Sequence, residues 1–249
     1  MNSGYIAVLD SGVGGISVLN EMIKIMPYER YLYFGDNKNA PYGNRTKTDL
    51  ALLMFKNIDM IKRYNIKALA IGCNTISTTI LSLVSEYANV PTFGVFPPIE
   101  KAVCEKEKVL LLSTVRTANE YKNVKGLSII GFDRLAEDIE KNLTDLSRVD
   151  LVKNINNPNN VYYGEKNYIE SGVETVILGC THYSFIKKQI FNHFSPKKII
   201  SGNPYTARTV HNFLKSNNLL EKNKRIEVNF IGEFACQNQK FFIKSGQNI

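Results

Sequence analysis

Twice along the chain an apolar run ends in glycine and cysteine and then opens a helix-like stretch: Ile71-Gly72-Cys73-Asn74-Thr75 and Leu178-Gly179-Cys180-Thr181-His182. Each is preceded, at nearly the same distance, by another apolar run ending in oxygen-bearing side chains, Asp10-Ser11 in one case and Ser113-Thr114 in the other. Strand-type runs alternate with helical periodicity in both stretches. That order selects an α/β fold of two similar, pseudo-symmetric lobes, each a mainly parallel sheet flanked by helices. Ligands of such sheets bind beyond the carboxyl ends of the strands. Asp10, Ser11, Cys73, Ser113, Thr114 and Cys180 all fall at predicted carboxyl ends, so the lobes are expected to aim them at one cleft between them.

In the first lobe, strands are expected at residues 5–9, 31–34, 67–72 and 92–95, with helices at 16–25 and 74–87. Thr46 and Asp49 resemble a capping box, and Leu50, Leu53, Met54, Ile58 and Ile61 then form one apolar helical stripe. Residues 40–43, Ala-Pro-Tyr-Gly, read as a turn. In the second lobe the expected strands are 109–112, 127–130, 175–178 and 198–201, and the helices 133–142, 183–194 and 206–215. A last strand is expected at 226–231. Residues 154–160 are polar, turn-rich and expected to be exposed. The division that follows is residues 1–97 with 209–249 in one lobe and 98–208 in the other.

Composition removes several functional classes. With 44% hydrophobic residues among 249 the chain can bury a substantial core, and no apolar run approaches the ~20 residues that span a bilayer. The first residues lack the order of a signal peptide, so a cytoplasmic protein without a membrane partner is expected. The net charge of +8 is spread along the chain. Its densest spots, Lys187-Lys188, Lys197-Lys198 and Lys222 to Arg225, read as solvated helix ends rather than a nucleic-acid site. An excess of positive charge favours small anions. Four cysteines and three histidines include no close pairs of the metal-binding kind, so no metal is expected. Cys104 and Cys236 lack the context of the other two and read as structural.

The chemistry rests on Cys73 and Cys180. Each lies at an expected helix N-terminus, where the helix dipole favours a thiolate. Two thiols facing one carbon from opposite sides can move a proton off one face and onto the other. One must be a thiolate and the other a thiol. Groups that trade protons with each sulfur are then needed: Asp10 near Cys73, and Glu140 and His182 near Cys180. Asp36 is either a further acid or a turn former. The loop Asp10-Ser11-Gly12-Val13-Gly14-Gly15 offers backbone N–H groups to an anion, but its glycines are spaced for neither a dinucleotide fingerprint nor a phosphate loop.

On these residues the chain resembles the glutamate racemases, cofactor-independent members of the aspartate/glutamate racemase superfamily. The resemblance spans nearly the full length. It is carried by Leu9-Asp10-Ser11-Gly12-Val13-Gly14-Gly15, Phe34-Gly35-Asp36, Pro41-Tyr42-Gly43, Gly72-Cys73-Asn74-Thr75, Gly94-Val95-Phe96-Pro97, Leu178-Gly179-Cys180-Thr181-His182-Tyr183 and Thr206-Ala207-Arg208. It implies interconversion of L- and D-glutamate without a cofactor, supplying D-glutamate for bacterial peptidoglycan. Cys73 is then the acid/base toward the D-enantiomer and Cys180 toward the L-enantiomer. Asp10, Ser11, Pro41, Tyr42, Gly43, Asn74, Thr75, Thr117, Thr181 and His182 match substrate-contacting positions. Glu140 takes the place of the second assisting acid, with Glu137 close by and without the family's flanking prolines. Ser113-Thr114 replaces a usual Gly-Thr, and residues 200–204 also depart from the pattern. The alternatives are a racemase of aspartate or another acidic amino acid, and a non-catalytic protein-binding role such as binding a topoisomerase. A homodimer is common among such proteins.

Overall fold

Two five-stranded sheets carry the chain, and the strands at the centre of each are apolar on both faces because helices cover both sides. The computed structural model describes residues 4–104, 108–164, 172–222 and 226–231. Cys236 and part of the basic cluster beginning at Lys222 lie outside the described residues.

The first sheet has the order β10-β2-β1-β3-β4, built from β1 (Tyr5–Asp10), β2 (Arg30–Gly35), β3 (Ile66–Ile71), β4 (Thr92–Gly94) and β10 (Glu227–Ile231), all parallel. One face packs on α1 (Ile16–Ile25) and α9 (Asn203–Ser216), the other on α2 (Lys47–Ile61) and α3 (Asn74–Ala88). The second sheet has the order β7-β6-β5-β8-β9, from β5 (Val109–Thr114), β6 (Leu127–Phe132), β7 (Val161–Tyr163), β8 (Thr175–Gly179) and β9 (Lys198–Ser201). Here β7 is an antiparallel edge strand. The shorter helices α4 (Ile99–Cys104), α5 (Val115–Tyr121), α6 (Leu135–Lys141) and α7 (Leu151–Ile155), with α8 (Lys187–Phe194), belong to this half. Leu143 and Phe185 pack against the cores of both halves and join them.

The α2 helix shows how the local sequence acts. The Thr46 hydroxyl accepts the Asp49 N–H at 3.1 Å, capping the first turn. Leu50, Met54, Ile58 and Ile61 are buried, while Leu53 flanks the stripe half-buried. In both sheets the strand order turns back at the first strand: β1 lies between β2 and β3, and β5 between β6 and β8. These are the topological switch points at which open α/β sheets place ligands.

Three expectations need correction. The stretch after Cys180 begins as a 3₁₀ segment, Thr181–Ile186, and becomes α-helical only at Lys187. Asn154 is buried rather than exposed, because its amide donates to Asp138 Oδ2 at 2.8 Å. Cys104 is exposed at the end of α4, so it is not a core filler.

Candidate active site

The two switch points face one cavity of about 420 Å³ lined by both halves. Register makes the halves comparable position by position. Leu9 pairs with Ile71, so Asp10 lies beside the strand that leads through Gly72 to Cys73. Leu112 pairs with Leu178 and Ser113 with Gly179, so Ser113 occupies the place of Asp10 and Cys180 that of Cys73. The first half thus carries a carboxylate at the strand end where the second carries a hydroxyl.

The second half obtains its acid from elsewhere. Cys180 Sγ lies 3.7 Å from His182 Nδ1, and His182 Nε2 donates to Glu140 Oε1 at 2.7 Å. Burial pushes the imidazole down, but its contacts with Cys180 and Glu140 outweigh that and hold it well above the usual histidine value. Burial pushes the Glu140 carboxyl up; the hydrogen bond and charge of His182, the Val13 N–H and the Asn37 amide outweigh it and hold the group low. The neighbouring Glu137 instead pairs with Lys141 and Arg134 at the surface.

The first thiol has a different setting. Burial and then the charge of Asp10 push Cys73 up to about 12, against the Ile76 N–H and the Ser11 hydroxyl, which favour the thiolate. The expected easing by the α3 N-terminus is present in the Ile76 contact but loses to burial. Asp10 itself is fully buried beneath the cavity wall. Its Oδ2 accepts the Gly12 N–H at 3.0 Å, and burial pushes its carboxyl up against the opposing charge of His182.

The glycine loop is a surface of close approach. The N–H groups at its start are taken by protein carboxylates: Gly12 by Asp10, and Val13 by Glu140 Oε1 at 3.0 Å. A Cβ on Gly14 would lie 2.5 Å from both His182 Nδ1 and Thr181 Oγ1, and one on Gly12 would lie 1.7 Å from Glu140 Oε1. Any side chain there would push the halves apart.

Ser11, Pro41, Tyr42, Gly43, Asn74, Thr75, Thr181, His182 and Glu140 line the cavity with the two thiols. Thr117 does not. It is fully buried behind Thr114, whose hydroxyl donates to it at 3.2 Å and lies 3.1 Å from Thr75 Oγ1 of the other half. Asp36 is a structural group: it accepts from Tyr42 at 2.5 Å and from Asn57 at 3.0 Å, and fixes the Tyr42 ring in the wall. Asn37 also lines the cavity and escaped the sequence reading, although it lies two residues beyond the end of β2, where the strand-end rule would have found it. Among the described residues no group of three or more His, Cys, Asp or Glu side chains is placed to hold a metal ion.

Two buried thiols from opposite halves face one cavity of a two-lobed α/β fold. A sequence profile of the Asp/Glu/hydantoin racemase family matches residues 15–210, and the chain belongs to that family. A glutamate racemase of Clostridium acetobutylicum is 36% identical over 217 residues, 81% of this chain and 80% of its own length. Another, from Clostridium botulinum, is 34% identical over 86% of this chain and 85% of its own. The crystal structure of a glutamate racemase isoform from Bacillus anthracis superposes with a TM-score of 0.77 at 25% identity, covering 99% of this chain and 95% of that one. A glutamate racemase from Thermus thermophilus, solved with β-chloro-D-alanine, gives 0.73 at 27% identity over 92% and 87%.

Proposed function

We propose that the protein interconverts L- and D-glutamate by passing a proton between Cys73 and Cys180 across the α-carbon. The observation that carries this is the pair of sulfurs facing one cavity from opposite halves, each with its own proton-trading partner. Asp10 serves Cys73, and the His182–Glu140 pair serves Cys180. Ser11, Asn74, Thr75, Thr114 and Thr181 supply the hydroxyl and amide donors that two substrate carboxylates require. Donors at the α-carboxylate also stabilise the charge that grows there as the α-proton leaves.

The two thiols start unequal. With a value near 12, Cys73 is a thiol at neutral pH, ready to deliver a proton. Ionising it in place costs about 7 kcal/mol at pH 7. That is a large share of the ~16 kcal/mol barrier compatible with a turnover near 10 s⁻¹. The substrate ammonium entering beside Cys73 would offset part of it. At Cys180 the His182 ring, held protonated by Glu140, presents its Nδ1–H to the sulfur. The D-glutamate formed would serve peptidoglycan synthesis in the cytoplasm, and in this reading the lobes divide near residues 97 and 209.

Circular dichroism of L- and D-glutamate incubated with the protein tests the activity. Both signals should decay to zero, and Cys73→Ser or Cys180→Ser should abolish the decay. Full activity in either variant would sink the two-thiol mechanism. Decay with aspartate and not with glutamate would replace the substrate.

A further inference from the structure

Glu140 is held mainly by the lobe to which it does not belong. It projects from α6 of the second half and meets His182 within that half. Its other two partners come from the first half: the Val13 N–H on Oε1 at 3.0 Å, and the Asn37 side-chain amide on Oε2 at 3.3 Å. The support of Cys73, by contrast, comes from its own half: Asp10, Ser11 and the Ile76 N–H. Asn37 is rigidly presented. It opens a 3₁₀ turn after Asp36, and Asp36 is clasped by Tyr42, Asn57 and Asn39. The amide must turn its nitrogen to Glu140, since an oxygen there would face a carboxylate.

We infer that Asn37 is a positioning residue for the Cys180 half of the reaction: its amide, donated across the cleft to Glu140, holds the Glu140–His182 pair against Cys180 while the lobes are together. The inference rests on the racemase reading above. The titratable groups around Glu140 are His182, Asp10 and Tyr33, with Glu137 and Lys141 on its own helix paired to each other. None of these replaces the Asn37 donor on Oε2. Separating the lobes removes both cross-cleft donors from Glu140, whereas the hydrogen bonds to Cys73 come from its own half. Closure therefore completes the hydrogen bonding of the Cys180 relay.

The test separates this role from a merely structural one. Both thiols act in each direction, but deuterium at the α-carbon slows only its own removal. Each α-deuterated enantiomer thus reports on the thiol facing its hydrogen. A Cys180→Ser variant identifies which, because it stops exchanging that enantiomer's α-proton with deuterium oxide. In Asn37→Ala, kcat/KM should fall roughly tenfold, the scale of losing one weak charge-assisted hydrogen bond. The fall must be equal for both enantiomers, which have equal free energies. The α-deuterium effect should rise for the enantiomer that Cys180 deprotonates and fall for the other. Unchanged effects, or the opposite divergence, would overturn the inference. Titration of the His182 ring by NMR, without substrate, gives an independent reading: its midpoint should be lower in Asn37→Ala than in the natural protein, and an unmoved midpoint also overturns the role. If the natural protein fails to racemise glutamate while the midpoint still falls, the proposed activity is wrong and the positioning stands. Asn37→Ser, too short to reach Glu140, serves where Asn37→Ala does not fold.

Discussion

His182 Nε2 and Glu140 Oε1 lie 2.7 Å apart, and the same oxygen accepts the Val13 N–H from the opposite lobe. The pair therefore joins acid–base chemistry to lobe packing, and stability should follow its charge. His182 is held above its ordinary value of 6.5, so its contribution is full below that value and is lost as pH rises through the raised one. Glu140 is held below its ordinary 4.5, so its contribution is full above that value and is lost as pH falls through the lowered one. Both contributions are complete between 4.5 and 6.5. A His182→Asn variant should show its largest loss of Tm in that window, with the deficit narrowing on either side. Breaking a buried pair costs about 3–5 kcal/mol. Calorimetry at stepped pH checks this; a deficit that does not change with pH would refute the charge pair.

Gly14→Ala should injure catalysis far more than folding. Its Cβ would stand 2.5 Å from the His182 ring and from Thr181 Oγ1, so the lobes must shift to admit it. Overpacking costs about 1–3 kcal/mol, whereas misplacing a catalytic group by an ångström can cost ~10²-fold in rate. Gly126→Ala is the control. Its φ of 76° makes an added Cβ strained, but only a Val103 methyl lies near, at 3.7 Å. It should lower stability with kcat/KM unchanged. Equal activity losses in the two variants would contradict the close-approach reading of the loop.

Tyr42→Phe isolates the clasp behind the cavity wall. The Tyr42 hydroxyl donates to Asp36 at 2.5 Å and accepts from Asn57 at 3.1 Å. Burial and the Asp36 charge push the phenol far up, so it remains a donor. Removing it leaves the buried Asp36 with its amide partners alone, at a cost of about 1.5–3 kcal/mol. The ring still fills its place, so KM for glutamate should rise with kcat little changed. Urea unfolding and steady-state kinetics read the two effects separately.

The lobes and the two thiols were legible because alternation of strand and helix patterns fixes a parallel sheet, and the ends of its strands fix where side chains gather. What escaped was decided within one turn of chain. Thr114 and Thr117 are three residues apart. The first caps α5 and lines the cavity, while the second lies behind it, because the helix begins at Val115 and not one residue earlier. Residues 181–186 are too few for apolar spacing to separate a 3₁₀ turn from an α-helix. The helices α4, α5 and α7 and the edge strand β7 are short for the same test. Glu140 could be ranked above Glu137 only once α6 was placed, since the two lie one turn apart on the same face, both line the cavity, and only Glu140 meets His182.

A second buried ion pair lies away from the cavity. Lys67 Nζ lies 2.6 Å from Glu29 Oε2, with both side chains 1% exposed. Lys67 also donates to Leu219 O at 2.8 Å, and Glu29 Oε1 accepts the Glu221 N–H at 2.9 Å. The pair thus fastens the segment after α9 to the start of β2 and β3, ahead of β10 at the sheet edge. Lys67→Met alone strands a carboxylate in the interior and should cost about 3–5 kcal/mol. Lys67→Met with Glu29→Leu removes both charges and should recover most of that loss, since a buried ion pair and a well-packed apolar pair differ little in net stability. The hydrogen bonds from Lys67 to Leu219 O and from the Glu221 N–H to Glu29 are lost in the double variant as well, so amide exchange at Glu221 should be faster there than in the natural protein. A double-mutant cycle in denaturant measures the coupling; additive losses would show that the two charges act separately, the lysine through Leu219 and the glutamate through Glu221.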